Sequence, residues 1–465
     1  MEKCKEERKL MKETVISDSS TFDDLHSFSD DDGENCFQSD NLDDDGTTHH
    51  LEYSEQICSS CVKKRRLTQT NLFQLWGVKN PADHGKSKNV KQTNLFQMWG
   101  FENPGKSKSV QKTTTSLASC KTQRVCPFYK RIPGTPFTVD AFRYGPVKGC
   151  SAYFLSHFHA DHYIGLTKVW SHGPIYCTNL TARLVRICLN VSPSFICPLE
   201  LGTEYDLKGI KVTMLDANHC PGAALIHFRL PNGQCYLHTG DFRASKLMQS
   251  YPLLANQRIN ILYLDTTYCN PKYRFPSKEE VLKFVVGVTR TYLNNYPKTI
   301  VVVGAYSIGK EHVYFAISKA LGVKIYANAS RRRILQSFGW AGISENLSTN
   351  RKDTPLHILP ISSLKFEMLE HYLASQDRQY TRMLAFRPTG WTYSETIGEN
   401  LSLIKPTSKG NITIYGVPYS EHSSFTELQE FVQFLRPEKI IPTVNVGNAV
   451  YREKMQSYFQ QWLKA

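Results

Sequence analysis

Hydrophobic and polar positions change their rhythm near residue 123. From Cys126 onward, short apolar runs recur between Gly and Pro punctuation, the pattern of strands closed by turns. Residues 137–139, 152–155, 173–177, 212–216, 235–238 and 261–264 read as strands. Most end at or just before a residue that can bind a proton or a metal: Asp140, His157, His219, Asp241, Asp265. Residues 178–189 place Leu180, Leu184, Val185 and Leu189 on one helical face. Near residue 280 the pattern turns helical. The continuous apolar run 299–303 suits a parallel strand buried on both faces, with a helix after Gly309-Lys310-Glu311. The pattern predicts an α/β unit at 281–405, inserted between 124–280 and 406–465, with residues 413–416 resuming the first pattern. Ser424-x-x-Glu427 is a capping box, and Phe425, Leu428, Phe431, Val432 and Leu435 share a helix face. A strand over 440–446 and an amphipathic helix follow.

Residues 1–123 show no such rhythm. Between Ser17 and Gly46 there is no Lys or Arg, and Asp30–Asp32 and Asp43–Asp45 cluster. A block that repels itself and buries little apolar area predicts a disordered tail. Cys58-x-x-Cys61 lacks a second pair at zinc-knuckle spacing and reads as two thiols. Lys63-Lys64-Arg65-Arg66 reads either as a nuclear-import patch or as a solvated basic turn. Residues 69–77, QTNLFQLWG, return at 92–100 as QTNLFQMWG. Two clusters this small cannot make a core, so they read as paired docking peptides that order on a partner. They are similar to the peptide that binds the DNA sliding clamp, except that Leu75 and Met98 stand where an aromatic is usual.

The formal net charge of +14 favours a polyanionic partner. Thirteen cysteines without regular spacing, and no leader-like N-terminus, predict reduced thiols. No apolar run nears the roughly 20 residues of a membrane span.

The chemistry concentrates in His157-Phe-His159-Ala-Asp161-His162. His157 and His159 project from one side of an extended chain, while Asp161 and His162 fall where a helix starting at Tyr163 would begin. Imidazole and carboxylate suit zinc, with manganese or iron as substitutes. Together with His219, Asp241, Asp265 and His422, this pattern resembles the metallo-β-lactamase superfamily. Asp265, the inserted unit, Ser-Glu-His-Ser-Ser at 420–424, Leu-Asp-Thr-Thr-Tyr at 264–268 and Phe-Arg-Pro-Thr-Gly-Trp at 386–391 resemble its β-CASP nucleases, on the DNA cross-link repair branch.

The resemblance implies an α/β fold: an αββα sandwich with an inserted α/β β-CASP domain behind the tail. It implies one or two zinc ions, one on His157, His159 and His219, the other on Asp161, His162 and His422, with Asp241 bridging. Asp140 and Asp265 join Asp161 and Asp241 as catalytic carboxylates, orienting ligands from behind. His227 and His238 are read as structural, and Cys220 and Cys269 as buried thiols. Two cations about 3.5–4 Å apart would meet the charge that phosphodiester cleavage develops. Ser420, Ser307 and Lys310 are candidates for a terminal phosphate, and Arg331–Arg333 and Arg387 for a DNA groove.

No histidine follows His422; within the family that accompanies DNA rather than RNA. The expected activity is that of a nuclear 5′-to-3′ DNA exonuclease directed by a 5′-phosphate and acting in interstrand cross-link repair, with a monomeric catalytic region. A structure-selective DNA or RNA endonuclease and a small-molecule hydrolase are the alternatives.

Overall fold

The computed structural model describes residues 124–395, 398 and 400–464, which fall in one compact unit. The tail features at 58–66, 69–77 and 92–100 lie outside the described residues. Among those described, no helix is long and apolar enough to cross a membrane.

Three sheets organise the chain. The first holds β1 (Arg131–Ile132), β2 (Phe137–Val139), β3 (Ala152–Phe154), β4 (Ile175–Thr178) and β5 (Ile196–Leu199) in sequence order, parallel from β2 onward. The second begins with β6 (Glu204–Leu207), β7 (Ile210–Asp216), β8 (Ala224–Arg229) and β9 (Cys235–His238), an antiparallel run. It continues with β10 (Ile261–Leu264), parallel to β9.

The third sheet contains β11 (Thr299–Ala305), β12 (Ile325–Tyr326), β13 (Leu347–Ser348), β14 (Leu356–Pro360), β15 (Arg382–Pro388), β16 (Thr407–Lys409) and β17 (Ile412–Val417). Their spatial order is 13-12-14-11-15-17-16, parallel except for β16. The chain then returns to the second sheet with β18 (Lys439–Pro442), parallel to β10.

Sheets one and two pack face to face. Phe137 and Phe154 from the first meet Phe228 from the second, with Phe154 and Phe228 5.2 Å apart edge to face. Each buried ring contributes through the apolar area it removes from water and through ring–ring geometry. The helix Asn179–Leu189 covers the first sheet, and Ala449–Lys464 lies against β18 with Phe425–Leu435 packed beside it. This is the expected αββα sandwich.

In β11 successive side chains alternate between two cores. Ile300 and Val302 join Leu364, Leu369 and Met383 on one face. Val301 and Val303 meet the helix side on the other. Every residue of β11 is buried, as a parallel strand covered on both sides requires.

Three boundaries differ from the sequence pattern. The helix beginning at Tyr163 instead spans Ala160–Tyr163, so Asp161 and His162 lie inside it. Pro442 ends β18, four residues before the expected limit, where its partner β10 ends at Leu264; the Thr443 N–H makes the bond that closes the pairing. By sheet membership the inserted unit extends to Val417 rather than to 405, because β16 and β17 belong to the third sheet.

Candidate metal centre

The carboxyl ends of strands from all three sheets meet at one place, the usual site for ligands in sheets built from parallel strands. The segment after β3 carries His157, His159 and His162. His219 follows β7, Asp241 follows β9, and Asp265 follows β10. His422 follows β17 of the third sheet, on the segment crossing back to the capped helix Phe425–Leu435. There Ser424 and Glu427 form both hydrogen bonds of the expected box.

The five imidazoles form one cluster. Ring centroids lie 4.6 Å apart for His157 and His159, 4.1 Å for His157 and His162, 4.8 Å for His157 and His219, and 4.7 Å for His219 and His422. The Asp241 carboxylate sits among them, with Oδ2 3.2 Å from His162 Nε2, 3.7 Å from His157 Nε2 and 3.9 Å from His219 Nε2. Candidate ligand atoms gather in three groups: His157, His159, His219 and Cys220; His157, His162 and Asp241; His219, Asp241 and His422.

Each ring has its other nitrogen tied down. His162 Nδ1 donates to Asp140 Oδ2 (2.7 Å), and His422 Nδ1 to Asp265 Oδ2 (2.8 Å). His219 Nδ1 donates to the Glu421 carbonyl (2.8 Å) and His159 Nε2 to the Ile308 carbonyl (3.2 Å). Ser156 Oγ donates to Asp140 (2.7 Å) and so accepts from His157 Nδ1 at 3.0 Å. Carbonyls and carboxylates only accept, so these bonds fix every tautomer. In the neutral rings the inward nitrogen is therefore a bare lone pair. His159 Nδ1 and His219 Nε2 face each other at 3.1 Å, and buried His157 Nε2 has no hydrogen-bond partner. Lone pairs this close, around a carboxylate, repel unless a cation or proton lies among them. The donor set fits a metal ion.

The electrostatics agree. Burial pushes the His157 and His219 rings well below the usual imidazole range, with neighbouring histidines adding to it. Burial acts the same way on His162, but Asp241, Asp161 and Asp140 outweigh it and raise that ring well above the range. Burial works to raise the Asp140 carboxyl, yet the His162 charge and hydrogen bond hold it at about 2. Asp265 is likewise lowered against its burial, by His422 and Thr267.

Asp140 and Asp265 are buried behind the rings. There they hold His162 and His422 by hydrogen bonds to the outer ring nitrogens. Asp161 lies at the rim with its side chain exposed, 3.5 Å from His162 Nε2 and outside the three ligand groups. His238 accepts from the Gly240 N–H and stacks on Tyr263. Cys220 comes within the first group, but burial raises its thiol far above the range in which it ionises, with Glu421 adding to the shift.

The phosphate candidates change most. Lys310 is buried, and its Nζ pairs with Glu421 Oε2 at 2.6 Å. Buried Ser420 donates its hydroxyl to the His422 carbonyl (2.7 Å) and accepts from the His422 N–H. Both are engaged by partners within the chain. Ser307 is half-buried, and its carbonyl accepts from buried Arg331. Arg331 thus props this loop rather than lining an open groove, and Arg387 is tied to the Leu364 carbonyl.

Sequence reading passed over Ser156, Ile308, Glu421 and Arg243. Arg243 is buried and bonds Glu427 and the carbonyls of Ser420 and Pro276, all at 3.0 Å. A charge beside each ligand was the available signal for Glu421 and Arg243. Ile308 acts through its backbone and gave none.

Residues 341–448 match the family model described as DNA repair metallo-beta-lactamase. Over 426 residues the chain is 67% identical to the Arabidopsis thaliana DNA cross-link repair protein SNM1, covering 89% of this chain and 88% of that one. The chain belongs to the DNA repair metallo-β-lactamase family. Within this family it is 49% identical over 353 residues to the Gallus gallus DNA cross-link repair 1A protein, covering 76% of this chain but 36% of that longer one. It is 34% identical over 333 residues to the Gallus gallus 5′ exonuclease Apollo, covering 71% of this chain and 65% of that one. The relatives' names place the chain on the cross-link repair branch, and membership in a metallo-β-lactamase family accords with the metal-fitting donor set.

Proposed function

We propose that this protein is a zinc-dependent 5′-to-3′ DNA exonuclease that hydrolyses phosphodiester bonds during interstrand cross-link repair in the nucleus, starting from 5′-phosphorylated ends. The observation that carries the reading is the ring of five oriented imidazoles around Asp241, each with its outer nitrogen hydrogen-bonded and its other nitrogen turned inward. His157, His159 and His219 would hold one ion, and His162, His422 and rim-placed Asp161 a second, with Asp241 between them. Bound there, the ions would supply Lewis acidity toward a phosphoryl oxygen and its attacking water. The chain's own part is to hold the ligands in register and to present the substrate.

A polynucleotide substrate is supported by the wall beside His422. Trp391 is exposed and packs on Tyr268 (ring centroids 5.0 Å), which in turn lies 5.8 Å from His422. Lys272 and Arg274 are exposed on the adjoining loop. An aromatic face flanked by cations is the usual platform for unpaired bases. The polarity is carried over from the relative named as a 5′ exonuclease. The 5′-phosphate preference rests on family resemblance.

The test uses DNA and RNA oligonucleotides labelled at either end, with and without a 5′-phosphate, before and after chelation. The reading expects mononucleotides from the 5′ end of phosphorylated DNA and none after chelation. Cleavage that survives exhaustive chelation, or digestion from the 3′ end, overturns it.

A further inference from the structure

We propose that Lys310 is a positioning residue for the metal centre. Acting through Glu421, it holds the ligand rings in register from the 306–310 loop of the third sheet. The inference rests on the metal-site reading above.

Lys310 clamps one carboxylate twice. Its Nζ pairs with Glu421 Oε2 at 2.6 Å, and its backbone N–H donates to Oε1 at 2.9 Å. Both residues are about 5% exposed. The carbonyl of the residue so clamped accepts the His219 Nδ1–H. Two positions earlier in the same loop, the Ile308 carbonyl accepts the His159 Nε2–H. One three-residue stretch thus governs the outer nitrogens of both rings whose inner nitrogens meet at 3.1 Å.

The local backbone is shaped for this contact. Gly309 has φ +92°, and a Cβ there would come within 2.9 Å of Glu421 Oε2. Lys310 itself sits at φ 71°, a left-handed conformation that a residue with a side chain adopts only when its surroundings impose it. The other flank of His219 is held similarly. Lys278 Nζ donates to the carbonyl and side-chain oxygens of Asn218, at 2.9 and 2.7 Å.

A buried ion pair is a poor device for stability, because desolvating two charges offsets their attraction and an apolar pair of like size often serves as well. Placing a carbonyl against a ligand ring is a task that an apolar pair would not perform. The outer partners of metal-binding histidines govern ring orientation and affinity, and here that control passes from one sheet to another.

The test replaces both charges in the full chain, Lys310→Met with Glu421→Gln, so that neither is stranded. Three quantities are read: the melting temperature in chelator, Co2+ affinity by competition with a chromophoric chelator, and the Co2+ ligand-field spectrum. The expected result is a metal-free melting temperature close to wild type, Co2+ affinity at least about tenfold weaker and a shifted spectrum. Glu421→Gln alone keeps an oxygen for only one of the two Lys310 donors and sets its amide NH2 against the other, so it too should weaken Co2+ affinity.

Wild-type affinity and spectrum in the folded double variant would overturn the proposal. So would a double variant that fails to fold without metal, since the pair would then be holding the fold rather than the ligands. Wild-type protein that binds no Co2+ would instead overturn the metal-site reading, a separate result.

Discussion

The sandwich and the third sheet both aim the carboxyl ends of their strands at the metal centre, yet they contribute different things. The sandwich supplies side chains: four of the five imidazoles, Asp241, and the buried carboxylates Asp140 and Asp265. The third sheet supplies placement: the Ile308 carbonyl, the Lys310 clamp, the aromatic turn after β15, and the crossing segment that brings in His422. Most ligand side chains thus come from the sandwich, while their alignment is shared between its buried carboxylates and the third sheet's carbonyl and clamp.

The largest effects should come from the sandwich side. Asp241→Ala removes the carboxylate that faces three imidazoles. Nuclease activity should fall at least about a thousandfold, with bound metal lost by elemental analysis; retention of full metal content would break the division. Next come the positioning carboxylates. Asp140→Ala and Asp265→Ala should each weaken metal affinity or activity by about 10–100-fold, measured by chelator competition and oligonucleotide turnover.

Acid should strain both regions alike. Burial lowers His357 in the third sheet and His227 in the sandwich from 6.5 to about 4. Each folded ring binds a proton less readily than the unfolded chain does. Their stabilisation is therefore complete above pH 6.5 and drains away as pH falls toward about 4. Denaturant titrations across that window should show the loss, on the order of 3 kcal/mol per ring. A flat profile would remove these two histidines from the account.

The smallest effect expected is Gly304→Ala in β11. A Cβ there would collide with Leu364, and about 1–3 kcal/mol of overpacking should lower the denaturation midpoint. If the third sheet aligns the ligands, metal affinity should weaken alongside.

The same division explains what could be read from the chain alone. Imidazoles and carboxylates at strand ends are chemically distinctive, so His157, His159, His162, His219, Asp241 and His422 stood out, and the alternating apolar runs gave the sandwich. The third sheet's contribution runs through carbonyls and a buried pair, which leave no mark on residue type. Lys310 and Ser420 looked like phosphate binders because a lysine at a helix start and a serine beside a ligand have that chemistry in the open. Burial and an internal partner redirect both. The pattern was equally silent on which sheet takes β17, since its apolar run looks the same in either.

The crossing from β17 to the capped helix has a consequence for how the protein is made. Chains leave the ribosome N-terminus first, and His422 emerges only after the whole third sheet. A product stopped before that point carries four of the five imidazoles and no finished centre. Half-made copies are born inert, and any cutting capacity arrives together with the part that aligns it.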